Sequence, residues 1–302
     1  MGELFDVIII GSGPAGLTAG VYTSRANLKT LMLAGEKWGG QLMLTTLVEN
    51  YPGFAQGIQG PDLMYAMRQQ AEKFGVMIRQ ENATEVNFAT KPFEVNAYRG
   101  KSVIVATGAA FNWLNLPNEQ RLIGRGVSSC ATCDAAFFKN KKVVVVGGGD
   151  AAMEEALVLA KHAAEITIVH RRQEFRASKI MQDRVFAEPK IKIIWNAQVR
   201  DVLGESKVEG VVLTDGQTVK AEGMFVAVGH SPATKLFAGK LDLDEKSYLK
   251  RLGQKYKTMS NVDGVFISGD VHDHIYGQAV TAAGYGCEAA LDAERWLAEG
   301  QS

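Results

Sequence analysis

The chain has 302 residues, which is long enough for two domains with separate hydrophobic cores. Its 33 basic and 33 acidic side chains give a formal net charge of zero, which argues against a general binder of nucleic acids or acidic membranes. No run approaches the roughly 20 apolar residues of a membrane helix, and the first strand begins too early for a signal peptide. We therefore expect a cytoplasmic protein.

The first predicted elements form a βαβ unit around a glycine-rich turn. Phe5–Ile10 is a short apolar run typical of a buried strand, a helix is predicted from Pro14 to about Arg25, and Thr30–Leu33 predicts the next strand. The turn has the pattern Gly-x-Gly-x-x-Gly, which places a pyrophosphate at the helix N-terminus. The residues predicted to bind this dinucleotide are Gly11, Ser12, Gly13, Pro14, Ala15 and Gly16.

The sequence does not identify the residue that contacts the ribose at this first site. The pattern expects an acidic residue at the end of the second strand, and Glu36 lies slightly late for that role. A glycine-rich turn without a ligand is the alternative interpretation, which the flanking strand and helix disfavour. Further along, Pro61–Phe74 predicts a helix, and Val76–Ile78, Phe93–Asn96 and Val103–Ala106 predict strands.

Two of the three cysteines form the motif Cys130-Ala131-Thr132-Cys133. In a cytosolic α/β chain this spacing indicates a redox pair or half of a zinc site. Zinc would need two further ligands, and the nearest histidine candidates lie far away in sequence, so we favour the redox pair and expect no metal. Cys287 falls among small residues in a helical pattern and is interpreted as a packed core residue rather than a third redox thiol.

Asp134 directly follows the cysteine pair. A partly buried carboxyl beside thiolates should have a raised pKa, so Asp134 is predicted to donate a proton. The alternative is that Asp134 caps the N-terminus of a helix that begins there, and the two roles can coexist.

A second βαβ unit follows the cysteines. Lys142–Val146, Ala151–His162 and Ile166–Val169 predict a strand, a helix and a strand around another glycine-rich turn. An acidic residue after the second strand would favour NAD, but basic residues occur there, and guanidinium groups bind phosphate. We therefore predict NADPH, against the alternative of a solvated basic turn. The predicted contacts are Gly147, Gly149, Asp150, Ala151, Ala152, His170, Arg171, Arg172 and Arg176.

The remaining pattern completes the domain organisation. Ile191–Trp195, Val208–Leu213, Met224–Val228 and Gly264–Ile267 predict strands, and a long helix is predicted from about Gln278. The predicted fold class is α/β, with two Rossmann-like dinucleotide-binding domains, the second inserted into a discontinuous first domain. The expected boundaries are 1–112 and 231–302 for an FAD-binding domain, and 113–230 for an NADPH-binding domain that carries the cysteine pair.

Two nucleotide turns and a redox cysteine pair suit an oxidoreductase that moves electrons from a nicotinamide, through a flavin, into a disulfide. With these motifs in hand, the chain resembles the low-molecular-weight thioredoxin reductases of bacteria and archaea over essentially its whole length. The segments that carry the resemblance are Gly11–Gly16, Gly39-Gly40-Gln41, Glu49–Gly53, Cys130–Asp134, Gly147–Gly149, His170–Arg176 and Gly269-Asp270.

The resemblance implies a homodimeric flavoprotein with FAD, NADPH and thioredoxin as electron acceptor. It implies that Cys133 faces the flavin, that Cys130 exchanges with the disulfide of the partner and that Asp134 donates the proton. Ala151 and Gly277 depart from the family pattern, which commonly has Ser or Thr and Arg at these positions. The implied flavin-binding residues are Gly40, Gln41, Asn50, Asp270, Gln278 and Ala279.

Other functions remain open at this stage. A related flavin reductase would reduce ferredoxin, quinone or another small acceptor, although such relatives commonly lack the cysteine pair. A disulfide reductase could instead serve a glutaredoxin-like protein. A non-catalytic redox-sensing or nucleotide-sensing module would retain the same motifs without NADPH-driven turnover.

Overall fold

The computed structural model describes residues 3–300. The chain forms two compact units, one made of the residues up to Ala110 together with those from Ser231 onward, and the other made of Phe111–His230. The second unit is thus inserted into the first, as the predicted fold class requires. Within the described residues, no helix is long and apolar enough to cross a membrane.

The discontinuous unit contains most of its elements before the insertion. Its helices are α1 (Pro14–Arg25) and α2 (Gly60–Lys73), and a 3₁₀ turn spans Gly40–Leu44. Its strands here are β1 (Leu4–Ile10), β2 (Thr30–Leu33), β3 (Leu47–Val48), β4 (Ile58–Gln59), β5 (Met77–Arg79), β6 (Val86–Asn87), β7 (Phe93–Val95), β8 (Tyr98–Val105) and β9 (Ala109–Phe111).

The inserted unit contains both helices and strands. Its helices are α3 (Glu119–Leu122), α4 (Ala131–Asp134), α5 (Asp150–Ala160) and α6 (Lys179–Ala187), with a 3₁₀ turn at Ala135–Phe138. Its strands are β10 (Val127–Ser128), β11 (Lys142–Gly147), β12 (Glu165–Val169), β13 (Ile191–Ile194), β14 (Val199–Leu203), β15 (Gly210–Leu213), β16 (Thr218–Lys220) and β17 (Gly223–Ala227).

The chain then returns to the first unit through β18 (His230–Pro232), which pairs with β9 in a two-stranded sheet. Two further 3₁₀ turns, at Lys235–Phe237 and Gly269–Val271, flank β19 (Val265–Ile267). The last element is the helix α7 (Ala279–Glu299).

The main sheet of the discontinuous unit is mixed. Its strand order is β5-β2-β1-β8-β7-β6, and β19 also pairs with β8. Strands β5, β2, β1, β8 and β19 run parallel, whereas β7 and β6 add an antiparallel edge. Because β1 is covered on both faces, it is apolar nearly throughout, and α1 and α7 pack on one face through small residues such as Ala15 and Gly286.

The inserted unit is built on a five-stranded parallel sheet in the order β10-β17-β11-β12-β13. Its core on one face is formed by α5 residues such as Met153 and Leu159 against Val143 and Ile168, all fully or nearly fully buried. A three-stranded antiparallel sheet, β14-β15-β16, covers the other side of this unit. Of these three strands, only β15 lies in a segment for which the sequence predicted a strand.

Candidate functional site

The first glycine-rich turn lies between β1 and α1 and is shaped for a close approach of an anion. Gly11 has φ +113°, and a Cβ there would overlap the carbonyl oxygen of Ala106. A Cβ at Gly16 would overlap the carbonyl oxygen of Gly11, so this position must be glycine for α1 to pack on the turn. Gly13, the N-cap of α1, has open space in front of it. The N–H groups in the first turn of α1 therefore face a cradle that remains accessible, with Pro14 at the donor-free first position.

The hydroxyl of Ser12 has a structural role in this turn. It donates to the carbonyl oxygen of Ala34 at 2.7 Å and accepts the N–H of Gly39 at 2.9 Å, and the residue is buried. Through these bonds Ser12 connects the turn to the end of β2 and to the segment that follows it. The hydroxyl proton of Ser12 is therefore donated within the protein.

Of the other residues predicted to bind flavin, Gly40 lies beside this turn, and Asn50 and Gln278 contact each other from distant parts of the chain. A Cβ at Gly40 would contact Gly13 at 3.4 Å, and Gln41 donates through Nε2 to the Ala109 carbonyl oxygen at 3.3 Å. Asn50 donates through Nδ2 to Oε1 of Gln278 at 3.3 Å, although the two residues are far apart in sequence. Gln278 is also the N-cap of α7, so Ala279 begins that helix.

Asp270 has a carboxyl oxygen whose surroundings suit a contact with a ligand. Its Oδ1 atom is buried and has no hydrogen-bond partner among the described residues. Burial, with a further contribution from the charge of Asp273, raises the pKa of Asp270 to about 6. A Cβ at neighbouring Gly269 would fall against Cβ of Ala15, so Asp270 lies beside the first turn of α1. A buried acceptor next to a pyrophosphate cradle fits a ligand with both phosphate and hydroxyl groups.

The second glycine-rich turn, between β11 and α5, repeats this geometry in the inserted unit. A Cβ at Gly147 would overlap the Ala227 carbonyl oxygen, whereas Gly149, the N-cap of α5, again faces open space. Ala152 is fully buried under the turn. Asp150 is engaged, because its Oδ1 accepts both the N–H and the hydroxyl of Ser178 at 2.8 Å. Ala151, which follows Asp150, is exposed at the rim.

The basic segment after β12 separates into two kinds of residue. Arg171, Arg172 and Arg176 are exposed, and the backbone N–H of Arg176 donates to the Gly148 carbonyl oxygen at 2.8 Å. His170 is buried instead, with Nδ1 2.9 Å from the Gly147 carbonyl oxygen and Nε2 3.0 Å from the Glu174 carbonyl oxygen. The imidazole therefore connects the glycine turn to the basic segment, whereas the three arginine residues are exposed.

Cys130 and Cys133 form a disulfide, with their Cα atoms 5.3 Å apart. Cys130 is the N-cap of α4, and its sulfur accepts the N–H of Cys133 at 3.2 Å. Cys133 is exposed and Cys130 is half-buried. Helix α4 begins at Ala131, three residues before the position that the sequence suggested, so Asp134 ends this helix and caps no helix with its side chain.

The carboxyl group of Asp134 is coupled to the disulfide through a serine. Oδ2 of Asp134 accepts the Ser128 hydroxyl at 2.5 Å, and the oxygen of that hydroxyl accepts the N–H of Cys130 at 3.1 Å. Burial raises the pKa of Asp134, although the Ser128 hydrogen bond opposes this rise. A carboxyl group with a raised pKa in the segment that carries the disulfide is suited to donate a proton.

Sequence reasoning missed Ser128 and Glu155. Glu155 lies on α5 and accepts the backbone N–H of Ala131, the first residue of α4. Neither residue belongs to a motif with a recognised chemistry, and their roles depend on how α4 packs against α5. The only signal in the sequence was that Glu155 follows the second glycine turn on a helix that is otherwise largely apolar.

Cys287 is partly buried and reduced, and it contacts the hydroxyl of Tyr22. Glu36 is exposed, and its backbone N–H donates to Oδ1 of Asn82. Within the described residues, no cluster of three or more His, Cys, Asp or Glu side chains is arranged to hold a metal ion.

Two nucleotide cradles and a disulfide within one chain define a class of electron-transferring enzymes, and comparison with known proteins agrees. The profile of the family "Pyridine nucleotide-disulphide oxidoreductase" matches residues 5–286. The chain belongs to this family.

The similar proteins narrow the class further. The chain is 53% identical to a thioredoxin reductase of Streptomyces clavuligerus over 99% of its own length and 95% of that protein. It is 50% identical to one of Mycolicibacterium smegmatis, with 97% of each chain covered. The solved structure of a thioredoxin reductase from Giardia duodenalis superposes with a TM-score of 0.93 at 42% identity, covering 98% of this chain and 100% of that one. Within the family, the chain groups with the low-molecular-weight thioredoxin reductases, which confirms the resemblance seen in the sequence.

Proposed function

We propose that the chain is an NADPH-dependent flavoprotein that passes electrons from NADPH, by way of FAD and the Cys130–Cys133 disulfide, to thioredoxin. The observation that carries this proposal is the disulfide itself, which lies at the start of α4 next to a buried carboxyl group in the unit with the second nucleotide turn. The names of the similar proteins support thioredoxin as the acceptor.

The discontinuous unit would hold FAD. The backbone of residues 11–16 would bind the pyrophosphate, and Oδ1 of Asp270, which has no partner among the described residues, would bind a hydroxyl group of the cofactor. The chemistry that FAD supplies when bound is to accept a hydride from a nicotinamide and release an electron pair to a disulfide. The other residues proposed to contact it are Gly40, Gln41, Asn50, Gln278 and Ala279.

The inserted unit would hold NADPH. The open space at Gly149 supports a pyrophosphate at the N-terminus of α5, and the exposed side chains of Arg171, Arg172 and Arg176 support a site for the 2′-phosphate. His170 would hold these two anion-binding segments at a fixed distance, because its imidazole contacts a carbonyl oxygen in each of them. Asp150, Ala151 and Ala152 would line the start of the helix, with Asp150 orienting Ser178.

The disulfide would perform the exchange with the acceptor. Two electrons break the Cys130–Cys133 bond, and two protons convert both sulfurs to thiols. The thiolate of Cys130 then attacks the acceptor disulfide, which forms a mixed disulfide and releases one acceptor sulfur as a thiolate that takes up a proton. Cys133 loses its proton and attacks the mixed disulfide, which restores the Cys130–Cys133 bond and frees the second acceptor sulfur as a thiolate that takes up a proton. Asp134, whose pKa is raised by burial, is the proposed donor of the proton.

We also propose that the protein is a cytoplasmic homodimer. Support for the dimer comes from the family resemblance and from large apolar side chains exposed on the discontinuous unit, among them Leu44 and Tyr65. Light scattering of the purified holoenzyme tests this, and a monomeric mass at micromolar concentration would contradict it.

The function is tested by steady-state turnover of the purified holoenzyme with NADPH and an oxidised thioredoxin. We expect NADPH oxidation that depends on thioredoxin, and we expect Cys130→Ser to abolish that turnover while NADPH still bleaches the flavin absorbance. Cys287→Ser is the matched control, because this cysteine lies outside the proposed site, and it should retain the wild-type rate. A colourless protein, or NADPH oxidation that is indifferent to Cys130→Ser, would overturn the proposal.

A further inference from the structure

Two carboxyl groups hold the segment around the disulfide, here called the redox loop (residues 128–134). Asp134 acts through the Ser128 hydroxyl, which accepts the N–H of Cys130. Glu155 reaches the loop from α5 and accepts the N–H of Ala131 directly. Two consecutive backbone N–H groups at the start of α4 are therefore held, that of Ala131 by a carboxyl group directly and that of Cys130 through the Ser128 hydroxyl.

The surroundings of Glu155 are unfavourable for a permanent negative charge. Burial raises the pKa of Glu155 to about 7, the hydrogen bond from Ala131 opposes this, and the charges of Asp134 and Glu154 raise it further. Among the residues that the structure describes, these two are the charged groups that act on Glu155, one from α4 and one from its own helix, and the sulfurs of the redox loop add charge only when reduced. Because burial also raises the pKa of Asp134, the two carboxyl groups resist ionising together.

Resting on the proposed function, we propose that Glu155 is a positioning residue for the disulfide step, which fixes the redox loop and shares a proton with Asp134 beside the Cys130–Cys133 bond. When the disulfide accepts two electrons that originate from NADPH, the S–S bond breaks and the two sulfurs need two protons to become thiols. The carboxyl pair supplies one proton and water supplies the other. The pair regains its proton from solvent before the next turnover, so electrons and protons balance.

The first test compares pH profiles of kcat/KM for thioredoxin in the wild-type holoenzyme and in Glu155→Gln. Glutamine retains an oxygen that can accept the Ala131 N–H, but it carries neither the proton nor the charge. The substitution removes the carboxyl group whose pKa is raised to about 7, so the pair loses its last proton at lower pH and the alkaline limb of the profile should move to lower pH. At about pH 8 the loss should be roughly 3-fold to 10-fold, corresponding to a shift of up to about one pKa unit, with an unchanged KM for NADPH.

Glu209→Gln is the matched control, since Glu209 is an exposed glutamate of the same unit and is not among the charges that act on Glu155. Its profile should follow that of the wild type. If wild-type enzyme shows no turnover with NADPH and thioredoxin, the proposed function fails. If the wild type turns over and the Glu155→Gln profile superposes on it, the function stands and this inference is overturned.

A second measurement has its main result in the wild-type enzyme, so it does not depend on whether a variant folds. In an infrared difference spectrum of the wild-type holoenzyme, reduced minus oxidised, with ¹³C-labelled glutamate, the C=O stretch of a protonated glutamic acid should lose intensity as the proton moves toward sulfur. In folded Glu155→Gln this signal should be absent. If the difference spectrum of the wild type at about pH 7 contains no glutamic acid band that shifts with the ¹³C label, the proposal is overturned.

Discussion

At the scale of single residues, similar side chains have different tasks according to their burial. His170 and Arg171 are neighbours in a basic segment, yet the imidazole is buried between two carbonyl oxygens and the guanidinium is exposed. Among the acids, Asp270 and Asp134 are both partly buried and have raised pKa values, but within the described residues one oxygen of Asp270 has no partner, whereas Asp134 has a serine partner. The oxygen of Asp270 fits a contact with a ligand, whereas the carboxyl group of Asp134 fits a proton donor.

The exposed arginines give a prediction about cofactor preference. In Arg171→Ala/Arg172→Ala, KM for NADPH should rise about 10-fold to 100-fold, because charge-assisted bonds to a phosphate contribute roughly 1.5–3 kcal/mol. KM for NADH and kcat should change little, since NADH lacks the 2′-phosphate.

Arg184→Ala is the control for this pair, because Arg184 lies on α6 of the same unit and is exposed. It should retain the preference for NADPH in steady-state kinetics. An unchanged ratio of the two KM values in the double variant would show that the basic segment is a solvated turn.

At the scale of secondary-structure elements, the two strand-turn-helix units could be predicted closely from the sequence. The strands β1 and β11 are buried on both faces and are therefore continuous apolar runs, and the turns require glycine for steric reasons that are visible at Gly11 and Gly147. The same logic located α1, β2, α5 and β12 to within a few residues.

Elements that depend on contacts between remote segments were not predictable in this way. The strands β14 and β16 are short and carry mixed polar and apolar residues, and they are strands because they pair on either side of β15. Likewise, α4 has only four residues, and its start at Ala131 is set by Cys130 and by Glu155 from another helix. No local pattern contains this information, which is why Ser128 and Glu155 escaped notice.

In each glycine-rich turn one glycine faces open space, and this gives a prediction about nucleotide binding. At Gly13 and Gly149, φ is negative and a Cβ would meet nothing within 4 Å, so alanine fits the folded protein. The added methyl group would nevertheless fill the space proposed for a pyrophosphate. We expect Gly13→Ala to purify with little FAD, and Gly149→Ala to retain FAD but lose NADPH affinity at least about 10-fold.

The control for these variants is Gly284→Ala on α7, where a Cβ also has open space. In a helix interior this change should stabilise the protein by about 0.5–1 kcal/mol and leave both nucleotides bound. Flavin content by absorbance and NADPH affinity by calorimetry distinguish the three variants. Full FAD content in Gly13→Ala would show that the first turn is not the flavin site.

At the scale of the whole molecule, the inserted unit combines two functions that belong to separate steps of the proposed reaction. Helix α5 begins at the second nucleotide turn, and Glu155 contacts the redox loop five residues later, about 7.5 Å along the helix axis. The proposed pyridine-nucleotide site and the disulfide are thus joined by one rigid element, whereas the proposed flavin site belongs to the other unit. The proposed electron transfer from NADPH to the flavin and the proposed transfer from the flavin to the disulfide should therefore be measured separately.

The measurement that tests the proposed electron path most directly is an anaerobic titration of the purified holoenzyme with NADPH, followed by quantification of thiols under denaturing conditions. We predict two new thiols per chain beyond the single thiol of Cys287, accompanied by bleaching of the flavin absorbance. Cys133→Ser should bleach but gain no thiol on titration. A wild-type protein whose flavin is reduced by NADPH while the Cys130–Cys133 disulfide remains intact would contradict this path.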